Sequence, residues 1–360
     1  SDLVAWAWPQ AGVRRLQART VLAHYEAAKP GTQRKWRVTS GEPNMLPGMS
    51  AQALRNQVRY LERNHDIARG IIATLVHNTI GPSGIGVEFQ PRRADGTIHS
   101  EYAAALTRAW RNWQLCPEVT WRHSWPAAQR LLGRTWFRDG EAFAQRILGR
   151  LPTLDHGTDV PYSLELIEPD LVPLDYDDQS KRIRQACERN AWGKALAWHI
   201  YTGHPEDATQ MRMVRDYKRV PAERMLHVAH RDRIGQIRGV SALASVITRL
   251  EDVKDYEESE RIAAKVAAMM TGYVKRNSPE GYDPAGMERD ELGNLKPRDL
   301  RMAPGMIIDS LAVGEEIGLI ASNRPNPNLV HFRGGQLRAM AAGVLASYSS
   351  VARDYNGTYS

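Results

Sequence analysis

Arg238-Gly239-Val240-Ser241, followed by the run ALASVITRLEDVKDYEESERIAAKVAAMMT from Ala242 to Thr271, decides how this chain is read. After Gly239 neither Pro nor Gly occurs until Gly272. Ala, Leu, Glu, Lys and Arg hold helical dihedrals at low entropic cost, so the run predicts one uninterrupted helix. Ser241 is placed to cap its first turn and Gly272 to end it. Such a rod would be about 45 Å long. A helix of that length more often spans or lines something than closes a small core.

The face of this helix changes along its length. Leu243, Val246, Ile247, Leu250 and Val253 form an apolar stripe at helical spacing. Glu251, Asp252, Asp255, Glu257, Glu258 and Glu260 then crowd the middle third, with Lys254 the one base among them. Ile262, Val266, Met269 and Met270 restore apolarity. Unpaired carboxylates are too costly for this middle third to lie inside a core. Two readings follow. One is an ordinary helix with a solvated face. The other is a helix that stands beside copies of itself, with Glu251, Asp252, Asp255 and Glu258 toward a water-filled channel or a neighbouring helix.

Composition sets the bounds. The 360 residues allow two or three domains, and 42% hydrophobic with 25% charged content is that of a globular protein. The net charge of +7 suggests an anionic partner, yet base-rich stretches such as Arg14 to Arg37 and Arg212 to Arg219 alternate with the acidic helix. Separated sign suggests more than one partner. Cys116 and Cys187, the only cysteines, have no metal-ligand spacing, which fits a reducing compartment. No run of eighteen apolar residues occurs, so no membrane span is expected, and Ser1 to Gln10 lacks the pattern of a secretory signal. Ten Trp lie within the first two hundred residues, where cores and subunit interfaces both use them.

Periodicity places a helix over Val13–Ala28, a basic loop over Pro30–Pro47, and a helix from Ala51 to about Ile80, capped by Ser50 and broken near His65-Asp66. Val87–Pro91 alternates like a strand, Tyr102–Trp113 and Trp125–Asp139 read as helices, and Gly140 ends the second of these. Strands are expected at Glu141–Leu148, Ser163–Ile167, Leu171–Leu174, Ala195–Tyr201 and Met225–His230. After the long helix they are expected at Gly272–Lys275, Met306–Asp309 and Glu316–Ile320, before a last helix over Leu329–Ser347. Short strands in series after helices indicate an α+β fold with mostly antiparallel sheet.

Chemistry is hard to find. Gly81-Pro82-Ser83-Gly84-Ile85-Gly86 lacks the Gly-Lys-Ser/Thr end of a phosphate loop and precedes a strand pattern. His227 and His230 would point to opposite faces of one strand, and His199 and His204 lack a ligand partner at metal spacing. Asp139 and Glu141 bracket Gly140, where capping or turn formation is expected. No Ser lies in a nucleophile elbow. No catalytic residue, metal or cofactor is expected. A different class, a basic metal-dependent nuclease, would use Glu165, Glu168 and Asp170 as ligands.

Seven motifs in order carry a resemblance. They are Tyr25-Glu26-Ala27-Ala28-Lys29, the stretch Leu61 to Gly70, Gly81 to Gly86, Arg138-Asp139-Gly140-Glu141, Leu166-Ile167-Glu168-Pro169-Asp170, Gly235-Gln236-Ile237-Arg238-Gly239, and Arg353 to Ser360. In this order they resemble the portal proteins of lambda-type tailed bacteriophages. The resemblance implies a ring, usually a dodecamer, at one vertex of the virion head, assembled in the host bacterial cytoplasm. It has no chemistry of its own. Double-stranded DNA would pass through its channel, and the terminase large subunit, head-completion or adaptor proteins and the major capsid protein would be its partners, with no membrane.

The portal fold would place a wing at 1–240, a first stem helix at 241–271, a clip at 272–326, a second stem helix at 327–347 and the start of a channel loop at 348–360. Arg353, with Arg338, would touch passing DNA there. A crown would follow the last residue given. An acidic channel lining fits passing DNA, because each Lys/Arg–phosphate contact would add grip.

Overall fold

The computed structural model describes residues 41–207, 216–269, 273–276, 315–318 and 328–356. The expected helix at Val13–Ala28 and strand at Met306–Asp309 lie outside them.

Helices come first. α1 (Met45–Asn64) and α2 (Asp66–Ile80) are separated at His65, where the break was expected. The His65 backbone is extended, and its Nε2 lies 3.1 Å from the Leu250 carbonyl, so the break is tied to the long helix. α1 begins six residues before the expected start. Ser50 does not cap it; its hydroxyl donates to the Leu46 carbonyl inside the helix. Pro47 is tolerated because the first turn of a helix has no internal use for its N–H groups. α3 (Ser100–Trp113) and α4 (Trp125–Asp139) follow. Between α2 and α3, Val87–Pro91 is not a strand. Only an isolated bridge, Arg92 to Ile98, forms there, because alternation without a partner edge does not make a ladder.

α4 ends at Gly140 in the left-handed region, φ 91°, and β1 (Glu141–Leu148) starts at once. β1 is the centre of a three-stranded antiparallel sheet, between β2 (Tyr162–Ile167) and a later strand, β7 (Met225–Ala229). Leu171–Leu174 is not a strand; a 3-10 turn at Pro169–Leu171 takes the chain away from the sheet. A second antiparallel sheet has the order β3 (Ile183–Arg184), β4 (Cys187–Arg189), β5 (Ala195–Tyr201) and β6 (Tyr217–Pro221). Three of these four strands escaped the sequence reading. They are two to five residues long, too short for alternation to register.

Alternation along β1 explains the layers. Phe143 faces the second sheet in a core with Ile167, Trp198, Ile200, Val220 and Met225. Ala144 faces the other way, where Trp113 and Leu164 meet, flanked by Trp110, Trp125 and Tyr162. A third and larger core is helical: Leu61, Ile71, Ile72, Phe137, Leu243, Leu250, Met340 and Val351 meet there. The expected apolar stripe Leu243, Val246, Ile247, Leu250 and Val253 is wholly buried.

The long helix, α5 (Ile247–Met269), starts later than Ala242. Residues 242–246 form tight turns with i→i+3 bonds, from the Ala244 amide to the Ser241 carbonyl and from the Val246 amide to the Leu243 carbonyl. The reason lies upstream. The Ala242 amide is drawn out to the Phe137 carbonyl, 3.1 Å away, as the chain crosses the end of α4. β8 (Tyr273–Arg276) pairs with β9 (Glu315–Gly318), and α6 (Leu329–Gly343) packs on α5. No helix among the described residues is long and apolar enough to cross a membrane.

Tyr348–Ser360 was expected to be irregular from its first residue. Instead Tyr348–Ala352 forms a short helix, α7, capped by the Ser347 hydroxyl. Its Val351 enters the helical core, and burying that side chain outweighs the polar neighbours. The left-handed residue is Arg353, φ 55°.

Candidate functional site

Glu251, Asp252, Asp255 and Glu258 all lie on the surface of α5. Successive helix residues turn by about 100°, so Glu251, Asp255 and Glu258 share a ridge that continues, toward the C-terminus, the row begun by the buried Ile247. Ile262, also exposed, continues that ridge. Partners within the chain differ along the helix. Glu257 accepts from Arg333 of α6 at 2.5 Å, and Glu258 has only a surface partner, Arg261, at 3.7 Å. Among the described residues, Glu251, Asp252 and Asp255 have no cationic partner.

Arg353 and Arg338 are also exposed, and each has a neighbour within the chain. Arg353 donates to the Thr74 hydroxyl of α2 at 3.3 Å. The Arg338 guanidinium sits 4.8 Å from the centroid of the Tyr348 ring. Structure and sequence thus bring these two arginines to either side of α7.

Three of the motifs quoted above meet in space. Arg138-Asp139-Gly140-Glu141, Glu168-Pro169-Asp170 and Arg238-Gly239 converge on Arg55 and Arg59 of α1. Glu141 is fully buried and accepts from Arg238 at 2.6 and 3.0 Å, from Arg55 at 3.1 Å, from His227 at 3.0 Å and from the Gly239 amide at 3.1 Å. Arg238, equally buried, spends its remaining donor on the Pro173 and Gln185 carbonyls, each 3.2 Å away. Asp139 takes a bidentate bond from Arg59 and another from Arg138. Asp170 accepts from Arg59 at 2.6 Å, Gln52 at 2.9 Å and Arg55 at 3.4 Å. Glu62, with Arg134 and Arg138, and Glu168, beside Arg59, complete it. Asp139 and Glu141 therefore do not cap or turn; they anchor a buried ionic network.

The electrostatics follow from the geometry. Burial alone would raise Glu141, but the charge of Arg238 and the bonds from His227 and Arg238 hold it far below the usual carboxylate range. Burial opposes ionisation of Asp170 too, and Arg55, Gln52 and Arg59 bring it down to about 2. Burial lowers His227 despite Glu141 beside it. A neutral ring fits its contacts: Nε2 donates to Glu141 and Nδ1 accepts from Arg231.

Glu168, Asp170 and His204 come close enough to one another to suggest a metal site. Arg59 already occupies the space between the two carboxylates, and Asp170 has three donors. Glu165 is elsewhere, paired with Lys218 at 3.4 Å. The ligand set of the nuclease reading is therefore split and neutralised. His227 and His230 also diverge, as expected: His230 stacks on Trp136, 4.5 Å between centroids.

Backbone contact accompanies the network. A Cβ on Gly239 would come 2.1 Å from the Gly140 carbonyl oxygen, and one on Gly140 would come 2.3 Å from the Val240 carbonyl carbon. Only glycine fits at this crossing of α4's end with the strand leading to α5.

The family described as "Phage portal protein, lambda family" matches residues 29–360. A curated relative, the "Probable portal protein" of Halomonas phage phiHAP-1, is 25% identical over 335 residues, covering 89% of this chain and 61% of the relative. The chain thus spans about three-fifths of that relative's length. Among solved structures, the neck of a native GTA particle computed with C12 symmetry aligns with TM-score 0.47 and 9% identity, over 88% of this chain and 77% of that one. The virion of a native gene transfer agent particle aligns with TM-score 0.47 and 11% identity, over 95% and 77%.

Proposed function

This chain belongs to the lambda family of phage portal proteins, structural components of the virion and not enzymes, and from that premise we propose that it is one subunit of a closed ring through which DNA enters and leaves a phage head. The observation that carries the reading is the ridge Glu251, Asp255 and Glu258. It is exposed and acidic and, among the described residues, without a cationic partner at Glu251 and Asp255. A long helix built this way is suited to stand between its own fold and a water-filled space or a neighbouring copy. Set against a neighbouring copy, such a ridge calls for basic side chains on that copy; any carboxylate left facing the channel would repel phosphate and let DNA slide.

On this reading residues 1–240 are the wing, and α5 is the core of a first stem helix assigned to 241–271. The clip takes 272–326, α6 lies in the second stem helix at 327–347, and the channel loop lies within 348–360. Because α7 is helical, the irregular part would start at Arg353. Arg353 and Arg338 would be transient phosphate contacts, weak individually and weaker in salt. The terminase large subunit, head-completion or adaptor proteins and the major capsid protein are the partners this role requires.

Native mass spectrometry and electron microscopy of the full-length protein test the ring: about a dozen copies in one closed assembly are expected. A well-folded, strictly monomeric full-length protein overturns it.

A further inference from the structure

α2 and α4 leave a groove between them of about 420 Å³. Its walls include the apolar Ile72, Val76 and Leu131. Three arginines, Arg69, Arg130 and Arg134, also line it, and no acidic residue does. Arg134 is used by Glu62, but Arg130 donates only to the Pro82 carbonyl, and Arg69 has no side-chain partner among the described residues. Two guanidinium groups beside an apolar wall are thus left without counter-charge.

The complementary surface is on the same chain. The ridge of α5 carries Glu251, Asp255 and Glu258 and then an exposed isoleucine, Ile262. From Glu251 to Ile262 it measures about 16 Å, and the groove wall from Arg69 to His77 about 12 Å. Asp255, Glu258 and Ile262 are exposed, so this end of the ridge is left uncovered by the described part of the fold. Head-to-tail rings need two different surfaces that fit each other, one on each side of the subunit. We propose that the α2–α4 groove of one copy receives the α5 ridge of the next, with Arg69 and Arg130 against Asp255 and Glu258 and Ile262 in the apolar part. This rests on the ring reading above.

Charge reversal with rescue tests it on the full-length protein, with ring yield read by native mass spectrometry and monomer fold by circular dichroism. R69E/R130E and D255R/E258R should each lower ring yield about tenfold or more, because like charges are then brought together. All four substitutions in one chain should restore it. The fold of each monomer should be unchanged, since none of the four side chains is buried. Rings that tolerate R69E/R130E, or a quadruple variant that stays unassembled, overturn the groove assignment and leave the ring intact. Loss of DNA binding by R69E/R130E with normal ring yield assigns the groove to nucleic acid and also overturns it. Wild-type protein that forms no ring overturns the ring reading itself.

Discussion

Glu141 has no contact with solvent, and two arginines, a histidine and a backbone amide all donate to it. Replacing it by Gln keeps the shape, leaves Arg238 buried without its counter-charge and leaves Arg55 with Asp170 alone. A loss of about 3–5 kcal/mol is expected in urea unfolding. Acid should act in two stages. His227, His230 and His199 are held below their ordinary 6.5, largely by burial. The unfolded chain therefore binds more protons there, and stability should fall as pH drops below about 6.5. Asp170 and Glu141 are depressed carboxylates, so their contribution is full above about 4.5 and is lost as pH falls toward 2 and below. Denaturation followed from pH 8 to 3 should show both stages, and H227Q should flatten the first. Burial pushes the Cys187 thiol up to about 11, whereas Cys116 is half-buried, so a thiol reagent at pH 8 should label Cys116 first.

Elements meet where glycine permits. G239A should fail to fold or lose more than about 3 kcal/mol, because its Cβ would overlap backbone, which cannot move aside as a side chain can. Leu345 is the opposite case. It ends α6 in the left-handed region, φ 56°, and is 95% exposed, so L345G should stabilise the monomer by about 1 kcal/mol in thermal melts. These element boundaries show what a sequence can and cannot reveal. α4, Gly140, β1 and β5 were legible to the residue, since each has a strong period and an unambiguous stop. The start of α5 was not, because the i→i+3 turns at 242–246 arise from a crossing with Phe137 far away in sequence. The ridge of α5 could be read from spacing alone. The ionic network could not: its members looked like local turn residues, and the one available signal was that charged residues clustered inside the family motifs.

At the scale of the whole molecule, charge is distributed by sign and by depth. Five arginines and five acids neutralise one another inside or at the edge of the fold, among them Arg55, Arg238, Asp139, Glu141 and Asp170. The α5 ridge, by contrast, keeps Glu251 and Asp255 exposed and without a cationic partner among the described residues. D255K/E258K should therefore leave the melting profile of the monomer nearly unchanged and impair ring assembly or DNA packaging. R353A should lower packaging with ring yield intact, and its deficit relative to the wild type should shrink as salt rises. Equal packaging by R353A at every salt concentration removes this arginine from the channel.

The ionic network also sets a timetable. Glu141 leaves the ribosome 86 residues after Arg55, and Arg238 another 97 residues later. At about 5–20 residues per second that last interval is on the order of five to twenty seconds. Throughout it the carboxylate cannot be shut away from water, because its principal counter-charge does not yet exist. The nascent chain must wait, hydrated and open, until Arg238 emerges; α5 follows at once. A chain released before Arg238 should be a substrate for proteases, and the helical core closes only when α6 and α7 add Met340 and Val351. The α5 ridge, one of the two surfaces proposed for the ring, would then be presented only after Arg238 has emerged to seal Glu141.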